Sequence, residues 1–177
     1  MKRSTFWVLA IAVVVLAIMC VSKYNELSVL DEGLEKQWAP LVNVLTPRYT
    51  QVPDLVNEVI LYNGKKDEVV HNLATAYKHF NESSSISSQV AAANRIEAAL
   101  SALFIEAGQR YPGIVSHYQF QNLKQVFQTT SADMDGLVNG YNKSVDDFNS
   151  YVRQFPNNIV GMLLGFGSSA DYFRKEN

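Results

Sequence analysis

The chain has 177 residues and a mass of 19.8 kDa, room for one domain plus an appendage and for a core that needs no disulfide support. Its formal net charge is −2, and setting aside Lys2 and Arg3 leaves 13 of the 15 basic residues against 17 acidic ones. Nucleic-acid binding would need the opposite balance clustered on one face, so that class is excluded. The one cysteine, Cys20, lies in an apolar run and leaves the redox compartment open.

Residues 6–21 read FWVLAIAVVVLAIMCV, with no charge between Arg3 and Lys23. As a helix, residues 4–22 would rise about 28 Å, close to the roughly 30 Å hydrocarbon core of a bilayer. The expectation is an uncleaved membrane anchor over residues 1–22. A cleaved leader would need small residues that only Val15 and Ala17 weakly supply, and the bulky Ile18 and Met19 disfavour lipidation of Cys20. Lys2, Arg3 and the amino terminus, set against Lys23 followed by Glu26, Asp31 and Glu32, keep the tip in the cytoplasm and export the rest.

Beyond the anchor, apolar residues recur at helical spacing. Leu27, Leu30, Leu34, Trp38, Leu41 and Leu45 form a first stripe, in which Pro40 predicts a kink near Gln37. Pro47 and Pro53 mark a turn, and Pro53 suits the first turn of a second helix, where a missing amide proton costs nothing. That helix carries Leu55, Val59, Tyr62, Val69, Leu73, Tyr77 and Phe80. The serine-rich residues 81–89 form a loop that supplies an N-cap. A third helix follows to about Gly108 with Val90, Ala93, Ile96, Leu100, Leu103 and Ala107, and Tyr111, Pro112 and Gly113 close it. The longest stripe runs through Phe120, Leu123, Phe127, Met134, Leu137, Tyr141, Val145, Phe148, Val152 and Phe155. The fold class is therefore all-α: an anchor helix continuing into an antiparallel, up-down-up-down four-helix bundle over residues 23–155.

Pro156 stops the last helix, and residues 156–177 form an apolar, glycine-containing tail. In the up-down-up-down order the fourth helix returns to the membrane and delivers the tail there. Eight residues, 159–166, cannot span a bilayer, but Ile159, Met162, Leu163, Leu164 and Phe166, with Tyr172 and Phe173 beyond, are candidates for contact with lipid or a partner. The competing expectation is a tail folded back over the bundle end.

Residues able to carry chemistry are sparse. Glu68 and His71 have the Glu-x-x-His spacing of di-iron bundles, but no second pair exists, and both flank the apolar stripe on the side expected to face solvent. His79 and His117 stand alone in polar surroundings. The charge runs at 65–68 and at Asp146 and Asp147 read as solvated faces. Asn142 and Asn149, seven residues apart beside core positions, are read as amides that fix helix register. No catalytic residue, cofactor site or metal site is assigned.

The spacing of Tyr141-Asn142, Val145, Phe148-Asn149, Val152-Arg153, Phe155-Pro156-Asn157-Asn158, Gly165-Phe166 and Tyr172-Phe173 resembles the C-terminal signature of the LemA family. Tyr24-Asn25, Trp38, Arg48, the Pro53 turn, and Tyr111-Pro112 with Phe120 and Leu123 fall where that family carries similar residues. The chain departs from the family pattern at Pro47-Arg48, which replaces a paired arginine, at residues 50–54, and at Asp133, Val138 and Asn139, which replace a basic cluster. The resemblance implies a bacterial membrane protein with an N-terminal helix and a helical bundle, linked in some members to envelope stress or the assembly of membrane structures. Function is therefore expected to be that of a non-catalytic scaffold or adaptor, single-pass in the bacterial inner membrane with its bundle outside the cytoplasm. Its partners would be another membrane or envelope protein or a second copy of itself. A metal-dependent bundle enzyme built on Glu68 and His71, or a sensory module, is the alternative.

Overall fold

The protein is described by a computed structural model that covers residues 3–63 and 68–176. Lys2, in the N-terminal charge asymmetry, and residues 65–67 of the charge run lie outside the described residues. The chain is 84% helix, with no strand among the described residues. Among the described residues six α-helices follow in order: α1 (Arg3–Tyr49), α2 (Val52–Asn63), α3 (Glu68–Glu82), α4 (Ile86–Arg110), α5 (Tyr118–Val152) and α6 (Asn157–Leu163). A 3-10 turn, Ile114–Ser116, separates α4 from α5.

Helix α1 is continuous through Pro40 and Pro47. Both prolines are exposed, so water can bond the carbonyls that their missing N–H groups release. The expected turn falls at residues 50–51, with Pro53 in the first turn of α2. The serine-rich loop is shorter than its composition implies: α4 starts at Ile86, capped by Ser85, whose Oγ accepts from the Ser88 amide at 3.3 Å.

The chain divides into two compact units, one formed by Met1–Leu34 and Ser144–Ala170, the other by Glu35–Lys143 and Asp171–Asn177. The first unit runs past residue 22 to Leu34, and the tail is divided between the units after Ala170. In the larger unit α3 packs on α4 and α2 on α3, with the 3-10 turn against α2 and α4. Every apolar residue expected on the third helix is buried, as are Trp38, Leu41, Leu45, Leu55, Val59, Phe120, Leu123, Phe127, Met134 and Tyr141. In α3 the buried set is Val70, Leu73, Ala76 and Phe80, while Val69 is only half-buried, and Tyr62 of α2 is exposed.

In the smaller unit an 18-residue window of the N-terminal helix has a mean hydropathy of 2.5, and none of it is buried. This long apolar helix has the length and composition of a single membrane span. Leu27 and Leu34 are buried beyond it, with Val145, Phe148 and Val152 of α5. Phe155, expected at the end of the α5 stripe, is instead 81% exposed: the helix ends at Val152, so the seven-residue repeat no longer sets where 155 points.

Candidate functional site

The larger unit contains a buried ion pair. Arg48 and Glu97 have fully buried side chains and meet in a bidentate contact, Nε to Oε1 at 3.0 Å and Nη2 to Oε2 at 2.9 Å. The remaining donors of the guanidinium are also used: Nη1 donates to the Phe127 carbonyl and to Thr130 Oγ1, each at 2.5 Å, and Ser131 Oγ lies 3.3 Å away. The Phe127 ring covers the guanidinium carbon at 3.7 Å, a cation–π contact. Tyr49 Oη donates to Glu97 Oε1 at 2.8 Å, and the Glu176 backbone amide donates to the same carboxylate. Burial pushes the Glu97 carboxyl above its ordinary value, partly offset by the charge and hydrogen bonds of Arg48. Burial, then the neighbouring Glu97 charge, raises the Tyr49 phenol well above 10.0, so it acts as a proton donor throughout the neutral range. A cluster this saturated has no free polar group to offer a substrate.

In the same unit the end of the chain is strapped by side-chain amides. Asn142 receives the Phe173 N–H at 3.0 Å and donates to the Phe173 carbonyl at 3.0 Å. From α4, Asn94 donates to the Tyr172 carbonyl at 2.9 Å and accepts from the Arg174 amide at 2.7 Å. Tyr141 Oη donates to the Asp171 carbonyl at 3.0 Å, and Lys175 donates to the Ser131 carbonyl at 3.0 Å and pairs with Asp135. Two asparagines thus bond residues 172–174 from both sides, as flanking strands would. The Phe173 side chain, 1% exposed, packs on Trp38 with ring centroids 5.9 Å apart, and Trp38 sits 5.1 Å from Tyr141. Trp38 Nε1 donates to Gln89 Oε1 at 2.9 Å, which satisfies the one polar atom of the indole.

Phe173 is therefore a core residue, against its expected place at a lipid or partner surface, and this part of the tail folds back. The reason is that its backbone is bonded by Asn142 and its ring by Trp38. Tyr172 next to it is 41% exposed.

In the smaller unit Asn149 makes the same reciprocal pair with Ala170, donating to its carbonyl at 3.0 Å and accepting from its amide at 2.7 Å. The register role expected of Asn142 and Asn149 is thus a different one: each amide holds a piece of the tail's backbone. Within the apolar, glycine-containing tail, residues 157–163 form α6, with Pro156 at its N-cap and Gly165, at φ 84°, just past its end. Asn157, Val160 and Gly161 face inward. A Cβ on Gly161 would stand 3.1 Å from Val152 Cγ2 and 3.6 Å from Leu27 Cδ1, so any side chain there would press on Val152 and glycine gives α6 its close approach. Phe166 is half-buried, its ring 5.6 Å from that of Tyr24. The outward face consists of Asn158, Ile159, Met162 and Leu163, with Leu164 and Phe155 beside it, all exposed.

Of the other residues singled out, Tyr111 is buried at the α4 C-cap and its amide bonds the Ala107 carbonyl at 2.8 Å, with Pro112 exposed just after it. Glu68 and His71 are exposed, and no group of three potential metal ligands forms among the described residues. His117, expected to be solvated, instead pairs through Nδ1 with Glu58 Oε1 at 2.5 Å. A cleft of about 530 Å³ lies between α3 and α4, lined by Ala98, Ala99, Ala102, Asn72, Thr75 and Arg95.

An exposed apolar helix and a fold that is helical among the described residues are those of a membrane-associated helical protein. The chain belongs to the LemA family, whose profile matches residues 37–177. A comparison with curated proteins found no match.

Proposed function

We propose that this protein is a non-catalytic scaffold or adaptor held at the bacterial inner membrane by its N-terminal helix. Residues 23–155 act as an antiparallel four-helix bundle outside the cytoplasm. Its partner is another membrane or envelope protein, or a second copy.

The observation that carries this reading is how polar and apolar groups are used. Arg48, Glu97, Tyr49, Thr130 and Ser131 bond one another, and Asn94 and Asn142 bond the chain's own backbone. The smaller unit leaves two apolar surfaces open: the unburied window of α1 and the outer face of α6. An enzyme keeps reactive groups available in a cleft, whereas a scaffold keeps surfaces available.

Photo-crosslinking in cells, from exposed positions such as Arg95 and Gln125, tests the reading. A discrete adduct, with a partner or with a second copy, is the expected result, and its absence from all such positions contradicts it. Elemental analysis of the purified chain separates the metal-enzyme alternative, which requires stoichiometric metal. Alkaline phosphatase fused after Asn177 will be active if the bundle is exported, and an inactive, well-expressed fusion reverses the orientation.

A further inference from the structure

We infer that α6 is an interfacial foot, whose face of Ile159, Met162 and Leu163 lies in the headgroup region of the same bilayer that α1 enters. The inference deepens the scaffold reading and rests on its membrane anchor. Three observations within the smaller unit carry it.

The first is the pattern of α6. Positions 157, 160 and 161 are buried and positions 158, 159, 162 and 163 are exposed, so the helix has two faces, and the outward one is apolar from Ile159 onward with the polar Asn158 at its N-terminal edge. Met162 is 74% and Leu163 78% exposed, and Phe155 just upstream is 81% exposed. A surface helix in water normally turns its polar residues outward.

The second is height. α6 docks through Gly161 on Leu27, and the segment after it docks through Phe166 on Tyr24. Those two anchor-helix residues lie three and six positions past Val21, the last residue of the apolar run. At about 1.5 Å per residue Tyr24 stands roughly 4.5 Å and Leu27 roughly 9 Å beyond the hydrocarbon edge, the first within a headgroup layer of about 5–7.5 Å and the second at its outer limit.

The third is the character of the surrounding residues. Tyr24 and Tyr151 are the amphipathic aromatics found at membrane surfaces. Lys23 donates to Tyr151 Oη at 3.0 Å and to Glu26 at 3.0 Å, Tyr151 also bonds Glu26, and Arg153 is exposed nearby in sequence. The cluster also holds the Glu26 carboxylate, which pairs with Lys23, so its suitability for the interface rests on the two phenols, and the apolar face beside it suits the upper acyl chains. A protein partner would need to reach the same depth to cover α6, so lipid is the occupant that the position favours.

The test uses the full chain with Cys20→Ser, reconstituted in vesicles of phosphatidylcholine and phosphatidylglycerol, with a fluorophore on single cysteines. Met162→Cys and Leu163→Cys should be quenched by lipids carrying a nitroxide high on the acyl chain. Val14→Cys should be quenched most by a nitroxide deep in the bilayer, and Gln125→Cys by neither. Because all these sites are exposed, the fold should survive each change, and circular dichroism of each variant checks it. Quenching at 162 and 163 no greater than at 125, with Val14→Cys still quenched, overturns the foot and leaves the anchored scaffold intact. Loss of quenching at Val14→Cys as well overturns both. Crosslinks from Leu163 to a protein in cells, with no lipid quenching in vesicles, would assign the face to a protein partner and overturn the lipid proposal.

Discussion

Replacing Glu97 by alanine should be among the most damaging single changes in the chain. It leaves the Arg48 guanidinium, fully buried, without the carboxylate that takes two of its N–H groups at 3.0 and 2.9 Å. It also strips Tyr49 Oη and the Glu176 amide of their acceptor. Breaking a buried pair by removing one partner costs about 3–5 kcal/mol, because the remaining charge is neither solvated nor paired. For a chain of this size each kcal/mol moves the midpoint by roughly 2–4 °C, so thermal unfolding followed by far-UV circular dichroism in detergent should shift down by about 6–20 °C. The double variant Arg48→Met/Glu97→Leu removes both charges and keeps the volume apolar, and it should return to within about 2 kcal/mol of the parent. A Glu97→Ala protein within about 1 kcal/mol of the parent would refute the reasoning, since that is the value of an exposed pair. So would a double variant no more stable than the single one.

The other predictions concern the strap, the tyrosines and α6. Asn142→Ala deletes both bonds to the Phe173 backbone. It should cost about 2–4 kcal/mol and expose residues 171–177 to carboxypeptidase, whereas Asn139→Ala, at an exposed position, should do neither. Burial raises the phenols of Tyr49 and Tyr141, with Glu97 and Asp171 adding to the effect. Above pH 10 the unfolded chain therefore loses two protons that the folded chain keeps, and stability should fall by about 2.7 kcal/mol per pH unit; ultraviolet titration showing both phenols ionised before unfolding would contradict this. Gly161→Leu should push α6 away from Leu27 and Val152, and tryptic cleavage at Arg153 that does not speed up would show the contact to be slack.

Much of this architecture is legible from residue spacing alone, because helix burial follows a local period. The α4 stripe from Val90 to Ala107 and the α5 stripe as far as Val152 can be read directly. The ion pair also leaves a trace: Arg48 falls seven residues after Leu41 and three after Leu45, and Glu97 falls seven after Val90 and three before Leu100. Charges at core positions of two apolar stripes imply that they meet, a signal that a list of stripes omits. Asn94 carries no comparable mark, since its role depends on a segment some eighty residues away in the chain. The same distance hides the fate of Phe173. Local reading sees an aromatic in a Gly-Ser-rich tail, whereas three amide clamps and the Trp38 ring decide where it goes. Helix α6 is missed because seven residues with an internal glycine show less than two turns of periodicity, and the run looks uniformly apolar until Val160 and Gly161 are seen to face inward.

The central claim, a membrane-anchored scaffold with α6 on the bilayer, is tested most directly by a photoreactive amino acid placed at Leu163 in cells, with Val14 as the anchor control. Mass spectrometry should find lipid adducts from both positions. Lipid adducts from Val14, with only intramolecular adducts or water-quenched product from Leu163, would show that α6 does not meet the membrane and contradict the account.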